Sequence, residues 1–146
     1  MGKTIGSVIL GYLVTVVVFF ATFLIASLWM GADRSFRPGS YEISTLSSVL
    51  QFAFAFFAGT VGGRVCLAVA REKKVARILA VAVIVIQLVM AIPALTGDPE
   101  DPTLRTAEVG ILEALRNPQW PVWFALASPL IIAAGVLTST RLSKKV

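Results

Sequence analysis

Residues 45–95 decide the fold: TLSSVLQFAFAFFAGTVGGRVCLAVA (45–70), REKK (71–74) and VARILAVAVIVIQLVMAIPAL (75–95). Two apolar blocks flank a run of four charged residues. Each block reaches the roughly 20 residues that an α-helix needs to cross about 30 Å of hydrocarbon. A spanning strand would need about 9–11 residues of alternating polarity, and neither block alternates. The pattern predicts two transmembrane helices joined by so short a link that they should be antiparallel neighbours.

The same test, carried outward, finds two further blocks. The first span is expected over about 5–30; its apolar core far exceeds the roughly 7–15 residues of a signal-peptide core, so it reads as an uncleaved helix. The second starts at Thr45, or near Ser40 if Ser40 caps the turn before Tyr41 and Glu42. The third ends at Thr96-Gly97-Asp98-Pro99, and the fourth, about 120–140, is entered through Pro118 and Pro121. The whole chain is 57% hydrophobic and 14% charged, against roughly 45–50% and about 25% in soluble domains, and its mean hydropathy is +0.85. The expected fold is all-α: one integral membrane four-helix bundle over 1–146.

Charge sets the expected direction. Nine of the 13 basic residues fall on one side: Lys3, Arg64, Arg71, Lys73, Lys74, Arg77, Arg141, Lys144 and Lys145. Arg34, Arg37, Arg105 and Arg116 fall on the other, together with every acid except Glu72. Cytoplasmic loops carry the excess of lysine and arginine, so both termini are expected in the cytoplasm. Trp29, Trp120 and Trp123 then all lie at the outer interface, where indole rings favour the headgroup level. This placement also accounts for the net charge of +5 without nucleic acid as a partner. Arg64, Arg71, Lys73, Lys74 and Arg77 have two readings, topogenic charge or a site for anionic lipid head groups.

Ionisable residues inside spans usually mark function, because burying them is expensive. The span cores carry none, and Arg64 and Arg77 are close enough to the ends to snorkel. That argues against a proton-coupled pump. The chain has no histidine and a single cysteine, Cys66, which removes a dithiol relay, a Cys/His zinc site and histidine-ligated haem within one chain. No cofactor or metal is expected.

Small and uncharged polar residues remain. Gly59 and Gly63, with Gly62 between them and Ala55 a turn earlier, form a small-xxx-small strip; Ser7, Gly11 and Thr15 repeat the spacing in the first span, and Ala76 and Ala80 in the third. Such strips let backbones approach closely in lipid; a backbone-lined ligand groove is the alternative. Thr22, Gln51, Gln87 and Ser128 fall at similar depth in the outer half. They read either as interhelical hydrogen-bond glue or as a polar pocket. Pro129 leaves the carbonyl of Ala125 without its helical donor, and the Gln87 amide is a candidate replacement.

Between the third and fourth spans, Asp101-Pro102 starts a helix. Leu104, Ala107, Ile111, Leu112 and Leu115 then recur at helical spacing, which predicts an amphipathic surface helix over about 102–116 on the outer side. Asp98, Glu100 and Asp101 lack the spacing of a calcium loop and read as solvated charge favourable to the helix start.

The segments Ala58-Gly59-Thr60-Val61-Gly62-Gly63-Arg64, Ala70-Arg71 and Asn117-Pro118-Gln119-Trp120 resemble a set of small four-span bacterial inner-membrane proteins. These have a glycine-rich second span ending in Gly-Gly and a Pro-x-Trp entry to the fourth. The resemblance implies a bacterial inner-membrane location and little about mechanism. Small multidrug exporters need a carboxylate in the first span, and this chain has none there.

Three functions compete. A non-catalytic subunit or accessory factor, packing against lipids, partner membrane subunits or further copies of itself, fits the small-residue strips and the lack of reactive groups. A small oligomeric transporter or channel would use the polar outer half. An enzyme acting on a lipid would need Asp98, Asp101 or Glu108, and no motif supports it. The sequence favours the first, and no enzymatic activity is expected.

Overall fold

The structure, a computed structural model, describes residues 2–96 and 120–143. The expected surface helix over 102–116 and the acids Asp98, Glu100 and Asp101 lie outside the described residues. Among those described there are five helices: α1 (Gly2–Met30), α2 (Ala32–Ser35), α3 (Thr45–Ala70), α4 (Lys73–Thr96) and α5 (Val122–Leu142). α1, α3, α4 and α5 are long and apolar enough to cross a membrane. The chain is a four-span, all-helical membrane bundle.

The ends of α3 show how local chemistry sets its limits. Its cap is Ser44, not Ser40: Ser44 is extended (φ −65°, ψ 154°) and its hydroxyl accepts from the Ser47 N–H at 3.2 Å. The same hydroxyl donates to the Arg34 carbonyl at 2.6 Å, which ties the cap to α2. Ser40 instead accepts from the Glu42 N–H inside the connection. At the other end Arg71 adopts the left-handed conformation (φ 58°) and donates its N–H to the Leu67 carbonyl at 2.8 Å, an αL stop made without glycine.

Packing departs from the order of the chain. α3 and α5 form the central pair, α1 packs on α3, and α4 packs chiefly on α5, while α3 and α4 touch only lightly. The two-residue link between α3 and α4 makes them consecutive without making them close partners. The reason lies in the glycines. An added Cβ on Gly59 would meet the carbonyl oxygen of Ile132, and one on Gly135 the carbonyl oxygen of Phe56. Backbone therefore rests on backbone along the α3–α5 seam, and Thr60 donates across it to the Gly135 carbonyl at 3.3 Å. Four residues further along both helices Gly63 meets Val136 in the same way, so the contacts advance together and α3 and α5 are parallel. Gly11 and Gly62 give the antiparallel α1–α3 contact the same closeness: a Cβ on Gly11 would lie 2.8 Å from the Cβ of Cys66 and 3.0 Å from the Gly62 carbonyl oxygen.

The connection between α1 and α3 folds onto the end of the bundle away from the start of α1. Phe36 and Ile43 face each other across a β-bridge and are 1% and 2% exposed, with Tyr41 and Trp120 packed against them. This stretch is a plug with an apolar centre. Arg37 and Glu42 form a 3.0 Å ion pair on its surface.

Candidate functional site

The central α3–α5 pair carries α1 and α4 on one side, and those two flanking helices touch only lightly. They leave a cleft of about 610 Å³ between α1, α4 and α5. Phe19 and Phe23 of α1 and Phe124 of α5 contribute to its apolar lining, while Thr15, Gln87 and Ser128 contribute its polar atoms. The cleft is open where Phe20 and Leu24 of α1 and Met90 of α4, all exposed, border it.

Stacked rings close its end beside the Phe36–Ile43 plug. Trp120 lies on Phe124 with centroids 4.8 Å apart, Phe23 packs against Trp120 at 5.5 Å, and Phe52 stacks on Phe124 at 4.9 Å. Trp120 is thus a packing residue shared by the cleft and the Phe36–Ile43 plug. Trp29, in contrast, is 88% exposed, the orientation expected of an interfacial ring.

Of the four polar residues singled out by depth, Gln87 and Ser128 meet on the cleft, and both are half-buried. Neither side chain forms a hydrogen bond among the described residues, so the Ala125 carbonyl does not receive the Gln87 amide. Thr22 turns back on its own helix and donates to the carbonyls of Val18 and Phe19 at 2.7 and 2.9 Å. Gln51 is 1% exposed on α3; its Nε2 donates to Ser47 Oγ at 3.1 Å, while its Oε1 is unpaired. Thr15 joins the cleft unforeseen, its hydroxyl donating to the Gly11 carbonyl at 2.8 Å.

Gly11, Gly59, Gly62 and Gly63 all sit in contacts between helices of this chain. Their strips are occupied internally rather than offered to another molecule. Arg64, Arg71, Lys73, Lys74 and Arg77 are exposed and form no ion pair among the described residues. Cys66 is fully buried beside Gly11.

Two signals in the sequence could have pointed to the missed residues. Phe36 and Ile43 are lone apolar residues spaced across a polar connection, as in a small hairpin. Phe19, Phe23 and Trp120, Phe124 recur at helical spacing on two spans that must share a depth. No family model, curated protein or solved structure matches the chain. The fold and cleft define a multi-pass integral membrane protein; its role rests on the chemistry of the cleft.

Proposed function

We propose that the protein is a non-catalytic accessory component of a bacterial inner membrane, which holds a lipid chain bearing an uncharged hydrogen-bonding group in the α1–α4–α5 cleft. The observation that carries this is an apolar space with an amide and a hydroxyl on its wall, neither of which forms a hydrogen bond among the described residues. Interiors are close-packed, and an apolar void forfeits dispersion contacts along its whole lining. At about 610 Å³ the cleft falls within the roughly 300–1,000 Å³ of small-molecule sites. A transmembrane helix, about 10–12 Å across with its side chains, is too bulky to enter it, whereas a flexible hydrocarbon chain can.

The polar group of the occupant is uncharged because no acidic or basic side chain is among the described lining residues. Gln87 can donate and accept, and Ser128 can do both, which suits an ester carbonyl or a hydroxyl. Among the described lining residues there is no acid–base pair and no nucleophile with a neighbouring base, which supports binding over chemistry. A solute path through the outer half would have used Thr22 and Gln51 as well; the first is satisfied by its own helix and the second lines no part of the cleft. The charge asymmetry supports an orientation with both termini cytoplasmic.

Native mass spectrometry of the full chain, extracted in mild detergent, tests the proposal. The expected result is a retained neutral lipid that raises thermal stability when added back, with both effects weakened by Gln87→Leu combined with Ser128→Ala. A lipid-free chain whose stability is unchanged by added lipid extract would overturn it.

A further inference from the structure

We propose that the basic end of α4 carries a binding site for an anionic phospholipid, with the phosphate held by Lys74 and Arg77 and one acyl chain lying along the exposed face of the helix. A groove of about 690 Å³ starts at these two side chains and runs past Val81 and the half-buried Ala82 to Val85 and Ile86. The site is separate from the α1–α4–α5 cleft and does not depend on the reading of it. Three observations converge on this occupant.

The first is charge. Lys74 and Arg77 are both exposed and neither forms an ion pair among the described residues. Three residues apart on a helix, their Cβ atoms are roughly 5–6 Å from each other, close enough for one phosphate to engage both. The second is polarity along the groove. Beyond Arg77 its described lining is entirely aliphatic, which excludes a solvated anion such as free phosphate from the rest of the space and suits a hydrocarbon chain. The third is length. From Arg77 to Ile86 a helix rises about 13 Å at 1.5 Å per residue, close to half of the roughly 30 Å hydrocarbon thickness. The groove therefore matches the acyl region of one leaflet, with its cations at the headgroup level.

The geometry also separates two roles among the basic residues. Lys74 and Arg77 border the groove, whereas Arg64, Arg71 and Lys73 do not line it. A general attraction to negative surfaces would count all five alike. A site would depend on two of them.

The test uses the full chain in phosphatidylcholine bilayers containing trace spin-labelled phosphatidylglycerol or spin-labelled phosphatidylcholine, and compares the motionally restricted fraction of each probe. The wild type should favour phosphatidylglycerol, and Lys74→Gln with Arg77→Gln should remove most of that preference. Arg71→Gln with Lys73→Gln, which removes the same charge nearby, should leave most of it. Ala82→Phe, which obstructs the groove with its cations intact, should also lower the preference. All substitutions are at exposed or half-buried positions, and circular dichroism checks that helix content is kept. Equal restriction of the two probes by the wild type would overturn the proposal. So would equal losses in the two charge pairs, which would reduce the effect to surface charge.

Discussion

Replacing Gly59 by alanine tests the account of what holds the bundle together. The new Cβ would press on the Ile132 carbonyl oxygen, with the carbonyl carbon at 3.0 Å and the Cα at 3.2 Å. Carbon pairs prefer about 3.5–4.0 Å and the carbonyl oxygen is nearer still, so α5 must retreat by roughly 0.8–1 Å. No rotamer change relieves the contact, because both partners are backbone. A gap of that size forfeits about a quarter to a half of each pair's attraction, and the Thr60–Gly135 hydrogen bond, already 3.3 Å long, would stretch further. Overpacking of this kind costs about 1–3 kcal/mol. Alanine returns up to about 1 kcal/mol of helix propensity, so the expected net loss is about 1–2 kcal/mol. Gly6→Ala is the control, since a Cβ there meets nothing within 4 Å; it should be neutral or slightly stabilising. Gly59→Ala and Gly135→Ala together should cost less than their sum, because the first already parts the seam. The assay is equilibrium unfolding in mixed detergent and dodecyl sulfate micelles, followed by circular dichroism. A Gly59→Ala chain at least as stable as Gly6→Ala would refute the backbone-on-backbone seam.

Three further outcomes are expected. Arg71→Gly should stabilise the chain by about 0.5–1 kcal/mol, because an L-residue at φ 58° costs about 1–2 kcal/mol and glycine's extra unfolded-state freedom offsets only part of that; the unfolding midpoint reads it. Ser27→Ala should leave the midpoint unchanged or raise it, since Ser27 Oγ is buried without a partner and an unpaired hydroxyl contributes a desolvation cost of about 1–3 kcal/mol. A loss above 1 kcal/mol would contradict that environment. Cys66, fully buried, should react with a maleimide only once the bundle is unfolded, and fast labelling of the native protein in mild detergent would show that the α1–α3 contact opens.

The four spans were legible because membrane crossing depends on length and composition, both read directly from 45–95 and its counterparts. Neighbour choice was not. A two-residue link predicted α3 beside α4, but proximity in the chain contributes less than backbone contact at Gly59 and Gly135, which joins α3 to α5. The candidate pocket failed in half for the same reason. Counting residues gives the depth of Thr22, Gln51, Gln87 and Ser128, but the direction each faces depends on which helix stands opposite. Thr22 further had a local option, since a threonine hydroxyl in a helix can bond the carbonyls of the preceding turn. Ser40 and Ser44 were equally good caps by type, and the carbonyl of Arg34 beside Ser44 separates them. Phe36 and Ile43 carry no periodic signal, because two residues are too few to show one.

The parallel α3–α5 seam has a consequence for how the protein is made. Gly59 leaves the ribosome about seventy residues ahead of Ile132, which at roughly 5–20 residues per second is a wait on the order of 4–15 s. During that interval α1, α3 and then α4 can enter the membrane, but the face of α3 that carries Gly59 and Gly63 has no permanent neighbour. The partner of Gly59 and Gly63 is thus the last of the described helices to become available, and a chain stalled before residue 122 would present that face to the insertion machinery and to membrane proteases. Synthesis of α5 and closure of the bundle become nearly the same event.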